Sequence, residues 1–199
     1  DKGLLRPDVI AQITEAAKAK NIPVIVDPKG QDFSIYRGAR AVTPNKKELS
    51  EATQGAAVET DADVIAASHS LIDACGIEAV IATRSGDGMS VIQNGSEPVH
   101  LATTDIEVFD VSGAGDTVIA TIAAALAAGA DLVEAASLAN VAGSVVVTKV
   151  GTAAIRNDEL ARNLESDAGD ALIQTGKDRE KSARARKGDI FEYSDAGWA

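Results

Sequence analysis

The chain has 199 residues, 45% of them hydrophobic and 25% charged, a balance that excludes a disordered or fibrous chain and fits an ordinary folded domain. A formal net charge of -11 argues against nucleic acid or an anionic membrane as the main partner, and a lone cysteine, Cys75, excludes a disulfide framework or a multi-thiolate metal site. Aromatics at 3% with abundant Ala, Val, Ile and Leu point to an aliphatic core of helices packed on a buried sheet, and the whole fits a reducing cytoplasm.

Pro7 to Lys20 has apolar or small residues at Val9, Ile10, Ile13, Ala16 and Ala17, a helical spacing that Asn21 can end. Ile22 to Val26 predicts a buried strand carrying Asp27 at its C-terminal end, Ala41 to Thr43 a second, and Lys46 to Thr53 a helix. Asp61 to Cys75 follows as a helix, then Ala79 to Thr83 and Met89 to Gln93 as a hairpin at a sheet edge, turned by Gly86-Asp87-Gly88. Asp110 to Gly115 is a loop feeding a helix from about Asp116 to Ala128, ended by Gly129, and Leu132 to Val147 is a second apolar helix. The stretch Val118 to Ala130 is too short to span a bilayer; no signal sequence opens the chain, and Asp1 is not a natural start. Strands alternating with helices predict an α/β fold with a mainly parallel sheet and ligands at the carboxyl ends of its strands. After Leu164 the apolar period fades, so residues 166–199 read as a charged tail or linker, where Ile190, Phe191, Tyr193 and Trp198 could dock on a neighbouring surface. His69 and His100 lie far from any motif and read as surface residues.

The strongest chemical signal is Asp110-Val-Ser-Gly-Ala-Gly-Asp116-Thr117. Gly113, Ala114 and Gly115 open onto a helix amino end, where free amides and small residues can cradle a phosphoryl group. An aspartate in the first turn beside that anion site, Asp116, can take the proton from an incoming hydroxyl. Taken alone, the same string also reads as a plain loop with a helix cap.

Together with the apolar helix after it and Leu138-Ala-Asn-Val-Ala142, this string resembles the signature of the ribokinase-like (PfkB) carbohydrate kinases, over about residues 1–165. The resemblance implies a three-layer α/β/α sandwich and an ATP-dependent phosphotransferase that uses Mg2+. Thr43-Pro-Asn45-Lys-Lys-Glu48 is similar to the family's Asn-x-x-Glu motif, implying that Asn45 and Glu48 organise magnesium and the triphosphate; a capping box is the other reading. Thr83-Arg-Ser-Gly86-Asp-Gly88 is similar to a segment lying along the nucleotide phosphates, with Arg84 where lysine is commoner; otherwise it is a bare hairpin turn. Asn140 corresponds to a residue flanking adenine or ribose, or is a buried, satisfied asparagine. Asp110, Val146 to Lys149 and Gly151 match a monovalent-cation site, which makes K+ a further expectation.

Within the family, Val24-Ile-Val-Asp27-Pro-Lys29-Gly30-x-Asp32-Phe33 and Tyr36-Arg-Gly-Ala39 closely resemble the heptose 7-phosphate kinases of lipopolysaccharide-core biosynthesis, with Gly151-Thr152 before a final short strand and helix. That likeness implies phosphorylation of the anomeric hydroxyl of D-glycero-D-manno-heptose 7-phosphate on the route to ADP-heptose. Lys29, leaving a strand end toward the anion site, could neutralise a phosphate of ATP or of the sugar, or be a surface lysine. The family's usual N-terminal part, with a sugar-binding acidic residue and a lid that often forms a dimer contact, is not visible before Asp1, and the His-x-Gly-His string of a fused nucleotidyltransferase is not found. The expectation is therefore a C-terminal kinase portion, homodimeric in the full-length protein. Its rivals are another PfkB kinase, acting on a fructose phosphate, tagatose phosphate or nucleoside, and a nucleotide-binding fragment without catalysis.

Overall fold

The computed structural model describes residues 6–103 and 107–165; the tail at 166–199, with its aromatic residues, lies outside the described residues. The elements run α1 (Pro7–Lys18), β1 (Ile25–Val26), β2 (Ala41–Val42), α2 (Lys46–Ala52), α3 (Asp61–Cys75), β3 (Ala79–Thr83), β4 (Met89–Gln93), β5 (Val99–Leu101), α4 (Ala114–Ala127), α5 (Leu132–Val147) and α6 (Asn157–Leu164). The sheet order is β1-β2-β3-β4-β5. β1, β2 and β3 pair in parallel, whereas β4 is antiparallel to both β3 and β5, so β4 alone runs against the other four strands.

Alternation along the strands divides the core into two layers. Val42, Val80, Ala82 and Ile92 face the side covered by α1, α2 and α3, with Phe33, Leu49, Val64, Leu71 and Ile72 packed there. Ala41, Ala79, Ile81 and Val91 face the other side, closed by Val118, Ile122 and Ala125 of α4 and Leu132, Ala135 and Ala139 of α5. Each fully buried aliphatic side chain, such as Ile81 or Ile122, contributes about 1.5–3 kcal/mol. The architecture is the α/β/α sandwich the sequence predicts.

Local chemistry sets the helix ends. Thr60 with Asp63, and Asp131 with Glu134, make reciprocal capping boxes at α3 and α5, and Gly76 ends α3 at φ +67. Three expectations need correction. The β3–β4 hairpin is not at a sheet edge, because β5 pairs with β4 through Met89↔Leu101 and Val91↔Val99. The first strand shortens to Ile25–Val26: Pro23 has no N–H to offer a ladder, and the Ile22 amide is drawn back to Ala17 O at 2.9 Å. Residues 153–156 form no strand after Gly151-Thr152; the chain passes directly into α6.

Candidate active site

The carboxyl ends of the parallel strands bring the motifs together. Asp27 follows β1, Asn45 follows β2 and bridges to Thr83 at the end of β3, and the Thr83 amide donates to Pro44 O at 2.9 Å. Against this edge sits the N-terminus of α4. Gly113 occupies its cap position at φ +80, a backbone shape that favours glycine, and a Cβ there would come within 2.9 Å of the Thr152 methyl. No side chain caps α4, and although the Ala114 amide donates to Val111 O at 3.1 Å, the amides of Gly115 and Asp116 are left for an anion.

Two adjoining pockets result, sharing Thr83, Gly115 and Val118. The smaller, about 190 Å³, is walled by Asp27, Lys29, Thr43, Asn45, Glu48, Gly113 and Asp116. Asp116 is exposed in the first turn of α4 and faces this cleft. The larger, about 390 Å³, takes Gly86, Gly88 and Met89 from the hairpin, Val108, Val111 and Ala114 from the loop into α4, and Asn140, Gly143, Ser144 and Val147 from α5.

Lys29 reaches across the mouth of the small cleft, its Nζ 3.1 Å from Asp27 and 3.2 Å from Glu48. Partial burial works against its charge, but hydrogen bonds and attraction from the two carboxylates outweigh it and hold the ammonium's pKa above its ordinary value. The hydroxyl of the buried Tyr36 accepts from the Lys29 amide at 3.0 Å and fixes where this side chain leaves the backbone. Asn45 and Glu48 do form a capping box: Asn45 Oδ1 accepts from the Glu48 amide at 2.9 Å, and Glu48 Oε2 accepts from the Asn45 amide at 3.0 Å. Capping and cleft-lining therefore coexist, since Glu48 Oε1 remains turned to Lys29. Among the described residues no group of three or more His, Cys, Asp or Glu gathers to hold a metal. The donor set, two carboxylates and an amide oxygen beside an anion site, fits Mg2+, which takes one or two carboxylates and fills its octahedron with phosphate oxygens and water.

Thr83, Gly86, Gly88 and Asn140 all line the larger pocket. Asn140 is 5% exposed and its Nδ2 donates to Ala102 O at 2.8 Å, so the satisfied buried asparagine and the pocket wall are the same residue. Asp110 is not brought into either pocket. Its carboxylate accepts from the Ser112 amide at 2.8 Å and the Gly151 amide at 3.0 Å, tying two loops together, and hydrogen bonding from Ser112 and then Gly151 holds its pKa below the ordinary carboxylate value. His100 is not remote from the motifs: its Nδ1 lies 2.8 Å from Ser90 Oγ and 3.4 Å from an Arg84 nitrogen. Sequence reasoning missed Val108, Val111, Met89 and Val147 as pocket walls, because aliphatic residues carry no chemical signature.

The profile of the pfkB family carbohydrate kinases matches residues 3–159. The chain belongs to this family. Bifunctional protein HldE of Paramagnetospirillum magneticum is 57% identical over 159 residues, 80% of this chain, and that of Rhodospirillum rubrum 52% identical over 154 residues, 77% of this chain. The chain spans about a third of the length of these relatives, 32% and 31%. Among solved structures, Arabidopsis thaliana ribokinase complexed with ribose and ATP matches with a TM-score of 0.72 and 24% identity, covering 81% of this chain and 54% of that one, and shares the fold. The pfkB match contains the strand ends, both pockets and α4, so the site built above lies wholly within the family region. No helix among the described residues is long and apolar enough to cross a membrane.

Proposed function

We propose that the chain carries the nucleotide-binding and catalytic part of an ATP-dependent sugar kinase acting on the anomeric hydroxyl of D-glycero-D-manno-heptose 7-phosphate, a cytoplasmic step toward ADP-heptose. The observation that carries this reading is the position of Asp116: a carboxylate in the first turn of an uncapped helix, in a charged cleft that adjoins a second, more apolar pocket of about 390 Å³. The larger pocket takes the nucleoside, and the triphosphate runs past Thr83 and Gly88 toward the α4 amides. The sugar hydroxyl approaches Asp116, which accepts its proton as the oxygen bonds to the γ-phosphorus and the bond to the β-γ bridging oxygen breaks, releasing ADP. First-turn amides of α4 stabilise charge on the oxygens of the transferring group, and the Lys29 ammonium helps bind a phosphate of ATP or of the sugar. Asn45, Glu48 and Asp27 would hold magnesium, which would neutralise charge on the triphosphate.

The heptose assignment rests on the resemblance of Val24 to Phe33 and Tyr36 to Ala39 to heptose 7-phosphate kinases, and on the likeness to bifunctional HldE proteins. Potassium beside Asp110 and a homodimer of the full-length protein belong to the same proposal; the Asp110–Gly151 tie supports the first by joining the two loops that would supply carbonyls.

An ADP-release assay on the full-length protein, with ATP, magnesium and a panel of the heptose 7-phosphate, fructose phosphates and ribose, tests the reading. Selective turnover of the heptose phosphate is expected. Turnover of another sugar would keep the mechanism and replace the substrate, and no turnover with any would leave a nucleotide-binding module.

A further inference from the structure

Arg84 does not point where its place in the nucleotide segment suggests. It follows Thr83, which lines both pockets, yet its side chain is 6% exposed and turns away beneath the hairpin. One guanidinium nitrogen meets the Asp61 carboxylate at 2.6 Å, at the first turn of α3, and also approaches Ser90 Oγ of β4 at 3.1 Å and His100 Nδ1 of β5 at 3.4 Å. A single side chain thus ties the turn between β3 and β4 to a helix on one sheet face and to β4 and β5.

The backbone above hangs on the same residue. The Arg84 amide donates to Gly88 O at 2.8 Å, and the Asp87 amide donates to Arg84 O at 3.1 Å. Between these bonds Ser85 is held at φ +54 and Gly88 at φ +80. A non-glycine residue in that region costs on the order of 1 kcal/mol and persists only where its surroundings over-determine it. A second tie, Lys46 Nζ to Asp87 at 2.7 Å, fastens the outer side of the turn to α2.

Stability alone gives a weak reason for this arrangement. A buried cation is often replaceable by apolar side chains without loss, and here the Arg84 Nε has no hydrogen-bond partner among the described residues. What a planar, multiply bonded guanidinium does well is fix geometry. We propose that Arg84 is a positioning residue, which, through Asp61, Ser90 and His100, holds Thr83 to Gly88 in the shape that receives the nucleotide. The inference rests on the reading of the larger pocket as the nucleotide site.

The test compares Arg84→Met, Arg84→Lys and Asp61→Asn with the unaltered full-length protein, measuring ATP affinity by calorimetry, KM for ATP, kcat and thermal melting. Arg84→Met is expected to weaken ATP binding and raise its KM about tenfold while kcat changes less than about threefold, because the loop is misplaced but Asp116 is untouched. Arg84→Lys recovers part of the loss, and Asp61→Asn moves ATP affinity in the same direction by a smaller factor. Lowered melting with unchanged ATP affinity in Arg84→Met would overturn the inference, since it would leave only packing. Should Arg84→Met fail to fold, Asp61→Asn carries the test, because the Asp61 side chain is 59% exposed, and unchanged ATP affinity there overturns it. No ATP binding by the unaltered protein would remove the pocket reading and this inference together; equal binding by all four proteins removes the inference alone.

Discussion

The smaller cleft is walled by Asp27, Lys29, Asn45, Glu48 and Asp116, whereas the larger pocket beside it relies on Met89, Val108, Val111, Val147 and glycine backbone. They meet at Thr83, Gly115 and Val118, so a ligand long enough to fill both lies across a boundary between charge and aliphatic surface. In the cleft Lys29 is paired with both Asp27 and Glu48, and losing one of the three leaves another uncompensated. In the pocket, binding is spread over many similar contacts, none of which decides the outcome. Single substitutions should therefore act steeply on one side of that boundary and gently on the other, except where the backbone itself is the wall.

Asp116→Asn should show the steepest effect. It keeps the shape of α4's first turn but removes the proton acceptor, so steady-state kinetics should show kcat reduced by about 10²–10⁴ with ATP affinity nearly intact. Activity equal to that of the unaltered protein would sink the assigned role. Gly88→Ala is the exception on the apolar side. At φ +80 its Cβ would collide with Leu101 O, which is backbone and cannot swing away, so denaturant melts should show a loss of about 2–4 kcal/mol together with weaker ATP binding.

Lys29→Ala comes next. Its removal takes away the side-chain cation paired with Asp27 and Glu48, and KM for one phosphorylated substrate should rise about tenfold, with a smaller change in kcat. An unchanged KM for both substrates contradicts the role given to Lys29. Val111→Ala should have the smallest effect. Its side chain is largely exposed in the pocket wall, so ATP affinity should fall by about two- to fivefold with the melting temperature unmoved. A loss as large as that of Lys29→Ala would show that the pocket has a dominant contact and break the contrast.

The same contrast explains what the sequence makes legible. Asp61 to Cys75 and Leu132 to Val147 can be read to the residue because Thr60, Gly76 and Asp131 mark their ends with capping chemistry. Asp116, Asn45, Glu48 and Thr83 stand out only through the ordered run of motifs that resembles one family, because each string alone also reads as a loop, a capping box or a hairpin turn. β5 is hidden: Val99-His-Leu101 is three residues long, and its pairing depends on Met89 to Val91 rather than on anything beside it in sequence. His100 misleads for the same reason, since only that register brings its ring to Ser90 and Arg84. Asn45 and Glu48 show the limit of choosing between alternatives from sequence, because the capping box and the cleft wall are made by one pair of side chains at once. Val108, Val111 and Val147 form a pocket only after α4 and α5 have packed, and no pattern of single residues encodes that.

The central claim, that one ligand spans the boundary with its base on the aliphatic side and its phosphates on the charged side, is tested most directly by a crystal structure of the full-length protein with a non-hydrolysable ATP analogue and magnesium. The account predicts the adenine and ribose against Val111, Asn140 and Val147, and the γ-phosphate over the free first-turn amides of α4 beside Asp116. A nucleotide bound elsewhere, or reversed with its base in the Asp27–Glu48 cleft, would contradict it.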